Sequence, residues 1–237
     1  MAGGVTTTGL LDAESRRILF STAVPDHRPT SAQPIYDAAG DLPLRFDNDM
    51  RAWATRWQLT HPATPREDLL LVHVRDGAIG SALMVDGKPN RGCVVGGNEL
   101  GYTRLPIDGE AMKLEDIFSS AFLQRIDPNT PGGLDERVAD YAPDDTALIR
   151  ATELLALGLA NTCNFVRPHR LVLASGLTRH ARFYHALLDA MKRTMLTPVA
   201  ERMRIDTWED SLPQGAEAAG WLALDLIYRS PETSGTV

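Results

Sequence analysis

Six histidines and two cysteines are the side chains of this sequence best suited to holding a transition metal, and neither set is spaced for it. His27, His61, His73, His169, His180 and His185 form no HxxxH or H-E-x-x-H pattern, so no two of them fall together on one helical turn. Cys93 and Cys163 cannot make a cysteine-rich zinc site or a disulfide framework. His73 lies inside an apolar run, where a neutral, hydrogen-bonded imidazole is the ordinary outcome. The remaining chemistry must come from carboxylates. Asp47-Asn48-Asp49 stands immediately before Met50, Ala52, Trp53, Ala54 and Trp57, and Glu99 follows the glycine pair Gly96-Gly97. An Asx residue before such a run caps a helix by accepting from an unpaired backbone N–H. A turn cap at Glu99 and a solvated first-turn position at Glu115 are the corresponding plain readings.

The elements that must position these residues follow from pattern. Leu69–Val74, Asp76-Gly77, Ile79–Val85 and Asp86-Gly87-Lys88 read as two strands joined by a tight turn and closed by another. Leu42–Leu44 reads as the end of a strand, Leu114–Ile126 as helical, and Asp144–Asn164 as a long amphipathic helix. Pro168 stops that helix before a buried strand, Arg170–Ala174. Helices follow over Ala181–Met195 and Glu217–Tyr228. Polar, proline-bearing breaks fall at Pro25–Pro34 and Thr60–Arg66. Alternation of strands and helices predicts an α/β architecture. Trp53 and Trp57 share one helical face and are read as core, and the arginines from Arg167 to Arg193 as solvated helix faces and loop ends.

Composition limits the partners. The chain has 237 residues, a formal charge of -7, 43% apolar and 23% charged residues. That is long enough for one large domain or two intimate lobes, and its charge argues against a nucleic-acid footprint. The start lacks the basic head and apolar core of a secretory signal, and no segment stays apolar long enough to span a bilayer. A soluble cytoplasmic protein with no membrane partner is expected.

The order of motifs resembles the ROK family of bacterial sugar kinases and sugar-responsive repressors, over Gly4 to about Tyr228. Gly4–Asp12 is similar to G-I-x-x-P-G-L-V-D, with Thr8 for proline. Leu42-Pro43-Leu44 with Asn48-Asp49 is similar to L-P-V followed by N-D-A-N, with Met50-Arg51 for Ala-Asn. Arg75–Ala82 is similar to the phosphate motif G-x-G-I-G-A-G and keeps part of its glycine pattern. Asn98–Tyr102 is similar to G-E-x-G-H with tyrosine for histidine, and Leu114-Glu115 with Ser119 to L-E-A-x-x-S. Leu171–Leu177 resembles the adenosine motif I-V-L-G-G-G, and Ala219-Gly220 a terminal G-A segment.

The resemblance implies an actin-like, ribonuclease H-like two-lobe α/β fold with an incomplete first lobe, since the leading D-x-G-G-T strand and turn has no counterpart here. It implies residues 1–66 as the remnant of the N-terminal lobe, 67–215 as the C-terminal lobe, 216–230 as a terminal helix packing back towards the first, and 231–237 as a flexible tail. It also implies roles: Asp49 as the kinase base, and Gly9, Asn48, Asp49, Glu99, Tyr102 and Glu115 around a sugar. The histidine that would help three cysteines hold zinc is Tyr102 and the cysteines have no counterparts, so no metal is expected, and no other cofactor. Tyr102 is expected to pack where the metal would be or to turn its hydroxyl to the pocket.

Phosphoryl transfer needs a glycine cradle for the phosphates as well as a base, and Ser81 and Ala82 would crowd that cradle. The expected function is therefore binding of a sugar or similar polar small molecule, without ATP phosphotransfer, in a sensor or regulatory role. Two alternatives stay open: an enzyme using Asp49 and Glu99 for acid/base chemistry on a small molecule, and a residual ATP-dependent sugar kinase. A homodimer is implied by the family.

Overall fold

A computed structural model of the chain describes residues 1–12, 14–21, 26, 28–61, 67–92, 96–208 and 215–228. The expected breaks at Pro25 and over 62–66, Cys93 and the tail 231–237 lie outside the described residues. The chain forms two compact units. One holds Met1–Arg66, Ala82–Asn98 and Pro213–Val237, the other Glu67–Ser81 and Glu99–Leu212.

The first unit opens with β1 (Gly3–Thr7), β2 (Leu10–Asp12), β3 (Arg17–Phe20), β4 (Thr30–Ser31), α1 (Gln33–Ala39), β5 (Leu44–Asn48) and α2 (Asp49–Thr60). The chain then enters the second unit with β6 (Leu69–Arg75) and β7 (Ala78–Val85). It returns to the first unit within β7 and adds β8 (Lys88–Pro89). The second unit resumes with a 3-10 turn (Leu100–Tyr102), β9 (Arg104–Ile107), β10 (Glu110–Lys113), α3 (Leu114–Ile117), α4 (Ser120–Ile126), α5 (Leu134–Asp140) and α6 (Thr146–Val166). It finishes with β11 (Arg170–Ala174), α7 (Ala181–Thr194), α8 (Thr197–Arg202) and β12 (Arg204–Trp208), and α9 (Gly215–Tyr228) belongs to the first unit.

In the first unit β1 and β5 pair in parallel, Gly3 opposite Leu44 and Thr7 opposite Asn48, while β2, β3 and β4 form a small antiparallel sheet. A Cβ on Gly4 would stand 1.8 Å from the carbonyl oxygen of Ala219, so α9 rests directly on the β1 backbone and only glycine fits there. Arg45 Nη1 meets the fully buried Asp225 carboxylate of α9 at 2.9 Å. A small core joins Leu11, Ala32 and Phe46. In α2, Met50, Ala52, Ala54, Trp53 and Trp57 are all buried, which places the two tryptophans in the interior as their spacing predicts.

In the second unit the sheet runs in the order β12-β11-β6-β7, with β11 parallel to both β6 and β12. β6 and β11 are apolar over nearly their whole length because both faces are covered, as parallel strands require. The turn Asp76-Gly77 has Gly77 at φ 64°. The segment 114–126, expected as one helix, is two. Ser119 interrupts it, because its Oγ accepts the Phe122 N–H and so starts α4 afresh. Asp145 caps α6 through the Leu148 N–H and also accepts from Nε and Nη2 of the buried Arg137 guanidinium. Gly158 in α6 admits the Leu114 side chain, 2.6 Å from where its Cβ would be. Among the described residues no helix is long and apolar enough to cross a membrane.

Candidate functional site

The predicted residues separate between the units: Gly9, Asn48 and Asp49 in the first, Glu99, Tyr102 and Glu115 in the second.

In the first unit the site is built where β5 runs into α2. Asn48 is the helix N-cap, with extended backbone angles (φ -68°, ψ 146°), and its Oδ1 accepts the N–H groups of Met50 and Arg51 at 2.9 and 3.3 Å. Its Nδ2 donates to the Gly9 carbonyl at 3.1 Å. Capping and positioning therefore coexist: the amide that starts the helix also holds Gly9. Gly9 has φ 82°, and a Cβ there would lie 2.1 Å from the Phe20 carbonyl oxygen, so the backbone conformation and the space both demand glycine. Asp49 is half-buried, and its Oδ1 accepts the Met50 N–H at 2.8 Å.

Behind these residues lies a cluster that sequence reading missed. Asp47 is 1% exposed and accepts from the Asn48 N–H, from Arg51 Nε at 2.5 Å and from Arg91 Nη2 at 2.8 Å. Burial works against its ionised form, but the two guanidiniums and these hydrogen bonds outweigh that and hold its carboxyl below the ordinary carboxylate range. Arg51, which stands where the family motif has asparagine, is itself buried. Arg91 sits on a loop fixed by Asn90, whose Oδ1 accepts the Gly92 N–H and whose carbonyl accepts from Asn98 Nδ2, both at 2.8 Å. The departure from the motif at position 51 was the available signal, but its partner at 91 is too distant in sequence to read.

In the second unit Gly101 sets the geometry. A Cβ on it would stand 2.4 Å from the Ile79 carbonyl oxygen and 2.8 Å from Glu115 Oε2, so this glycine lets the turn seat closely against β7 and beside Glu115. Glu115 lies in the first turn of α3 and pairs through Oε1 with Lys113 Nζ at 3.3 Å. The Lys113 ammonium also stands 4.3 Å from the Tyr102 ring centroid. Tyr102, for which packing at the place of a metal and a hydroxyl facing the pocket are the two expectations, is 38% exposed and lies under that ammonium. Burial pushes its hydroxyl above the usual range; Lys113 opposes this, and Glu115 and Glu99 add to it. Glu99 and Glu115 thus both stand near enough to Tyr102 to act on its hydroxyl. Glu99 is exposed, and its carbonyl accepts the Tyr102 N–H at 3.1 Å, while its side chain makes no cap bond to the turn it begins.

The donor set does not suit the zinc that the family motif carries. A phenol beside an ammonium replaces the histidine, and the described cysteine, Cys163, is buried in the core of the second unit, where burial pushes its thiol up to about 12. Among the described residues no group of three or more His, Cys, Asp or Glu side chains is arranged to hold a metal ion. The arrangement offers hydroxyl acceptors in both units, with glycine backbones at Gly9 and Gly101 that let the Phe20 and Ile79 carbonyls approach closely.

A model of the ROK family matches residues 2–226. The chain is 27% identical over 248 residues to an N-acetyl-D-glucosamine kinase of Erwinia tasmaniensis, which takes in 93% of this chain and 80% of the relative. The crystal structure of a ROK hexokinase from Thermus thermophilus superposes with a TM-score of 0.75 at 24% identity, covering 95% of this chain and 79% of that one. A ROK family transcriptional regulator, a homologue of the E. coli MLC protein, superposes with a TM-score of 0.70 at 20% identity. It covers 92% of this chain, which spans 61% of the regulator. The two compact α/β units are thus those of the actin-like fold. The chain belongs to the ROK family.

Proposed function

We propose that this chain binds a sugar or a closely similar polyol without transferring a phosphoryl group to it from ATP, and that it acts as a sensor or regulatory component. Carboxylates that accept from hydroxyls are the usual means of fixing a polyol's orientation, and Asp49 in the first unit and Glu99 and Glu115 in the second are each of that kind. Within the first unit the Asn48 amide holds the Gly9 carbonyl in place, and within the second Lys113 orients Glu115.

The observation that carries the reading is at the phosphate motif. Where the motif has Ala-Gly, this chain has Ser81 and Ala82, 7% and 0% exposed within β7, so a methyl replaces the glycine and a hydroxymethyl the alanine, and Ser81 Oγ accepts the Leu100 N–H at 3.3 Å. A backbone so occupied is poorly suited to cradling a triphosphate, whose transfer depends on positioning and charge stabilisation. The carboxylates named above remain half-buried or exposed. The relative named as a kinase favours one second reading, a residual sugar kinase with Asp49 as base. Under either reading the protein is a homodimer, a state light scattering checks.

Isothermal titration of a panel of hexoses and N-acetylhexosamines, run on the native protein and on Asp49→Ala and Glu99→Ala, tests the binding. Heat with at least one sugar, lost in both variants, is expected; a flat panel rejects it. Coupled ADP release with magnesium, ATP and the same sugars separates the two readings, since sugar-dependent turnover would establish the kinase.

A further inference from the structure

The amino-terminal ends of β6 and β11 carry a feature unrelated to the sugar-facing residues. Within the second unit the carboxyl end of β6 leads to the α3 corner, where the Gly77 N–H bonds the Phe118 carbonyl. At the opposite end, where Arg170 pairs with Leu69, lies a cavity of about 400 Å³. Buried or half-buried Pro168, Val199 and Met203 form its floor, and exposed Arg167, Arg202 and Leu196 form its rim.

The walls are held by hydrogen bonds. Asn164 Oδ1 accepts the Leu196 N–H at 2.9 Å, the Arg167 N–H bonds the Cys163 carbonyl at 2.8 Å, and the Arg204 N–H bonds the His169 carbonyl at 3.0 Å. The groove is therefore preformed, with a volume in the range that takes one or two side chains. Two further observations concern its rim. Leu196 is 53% exposed there, and Phe165, two residues before Arg167 but not in the lining, is 89% exposed. The Arg167 and Arg202 side chains meet no carboxylate among the described residues. The nearby Glu67 is engaged by Arg170 and Arg204, and Asp68 faces His169 at 3.8 Å. Glu201 is not among the residues lining the cavity.

An apolar floor under two uncompensated guanidiniums, a local positive patch on a chain whose net charge of -7 otherwise repels anions, is complementary to an anionic group carrying an apolar anchor. We propose that this groove docks an acidic peptide segment of a partner protein. One apolar side chain enters over Pro168, Val199 and Met203, flanking Asp or Glu residues pair with Arg167 and Arg202, and Phe165 extends the contact. Guanidiniums suit such carboxylates because they bind them in bidentate fashion. The assignment is independent of whether the sugar reading is correct.

The test is an array of nonapeptides with a central apolar pair and acidic, neutral or basic flanks, probed with the full-length protein, followed by fluorescence polarisation of the tightest binder. Acidic flanks should be retained in preference to the others, and binding should weaken as salt rises. The Arg167→Glu/Arg202→Glu double variant and, separately, Leu196→Asp should each weaken it by about tenfold or more. Circular dichroism melts should stay at the native position, because all three side chains are exposed. Three results would overturn the proposal: no preference for acidic flanks, equal binding by the double variant, or a dimer by light scattering that Phe165→Asp converts to monomer while peptides fail to bind. The last would give the groove to a second copy of the chain.

Discussion

Asn48 performs two tasks with one amide, and substitutions can separate them. Alanine removes an N-cap that accepts two backbone N–H groups, worth about 1 kcal/mol, and also strips the part-buried Gly9 carbonyl of its donor, worth about 1 kcal/mol more. Asn48→Ala should therefore cost about 2 kcal/mol. Serine caps helices nearly as well as asparagine but is too short to reach Gly9, so Asn48→Ser should cost about 1 kcal/mol. Urea unfolding midpoints, with the slope checked for constancy, measure both values. In thermal melts the alanine variant should fall by about 4–8 °C and the serine variant by about half that. If serine proved as damaging as alanine, the cap would contribute nothing and the double role assigned to this side chain would be wrong.

Three further outcomes are expected. Asp47→Ala should destabilise by about 3–5 kcal/mol by leaving Arg51 buried without its carboxylate. Because the folded-state pKa of Asp47 is depressed, its contribution is full above the ordinary carboxylate value and is lost as pH falls through the lower folded one; chemical unfolding in acid should show that loss in the native protein and not in Asp47→Asn. Burial, with Arg75 nearby, pulls the His73 imidazole from 6.5 down to about 4. Unfolding therefore takes up a proton between those values, and stability should fall by at most about 3 kcal/mol as pH drops across them. His73→Gln should flatten that slope in urea titrations; an unchanged slope would refute the assignment. Gly101→Ala forces a methyl against the Ile79 carbonyl and Glu115 Oε2, so it should cost about 1–3 kcal/mol and weaken sugar binding in the titrations described above, whereas Gly109→Ala, strained by its φ of 87° but with no neighbour near its Cβ position, should lower stability by about 1 kcal/mol and leave binding unchanged.

Local signals were readable where the physics is local. The strand Arg170–Ala174 has the bounds its apolar run and Pro168 predict, and α2 starts at the Asx cluster that caps it. Gly9 and Asn48, matched to the family separately, prove to be hydrogen-bonded partners. What escaped depends on partners remote in sequence or on one competing bond. The break between α3 and α4 turns on a single serine hydroxyl, invisible to hydrophobic periodicity. The pairing of Asp47 with Arg91 spans 44 residues, and the placement of Lys113 over Tyr102 follows from how β10 feeds α3. Helix α5 was not anticipated, since its seven residues carry little amphipathic pattern and rest on Leu134, Arg137 and Val138.

The path of the backbone between the two units has a consequence for biosynthesis. The chain changes unit four times, the last between Leu212 and Pro213. By the time residue 212 has been translated, every residue of the second unit exists, whereas β1 still lacks the helix whose Ala219 backbone lies against Gly4. At ribosomal rates of about 5–20 residues per second, β1 waits roughly 10–40 seconds for its cover. A strand made before the whole of the second unit is thus among the last to settle, and for that interval a nascent β1 is a natural client for a chaperone.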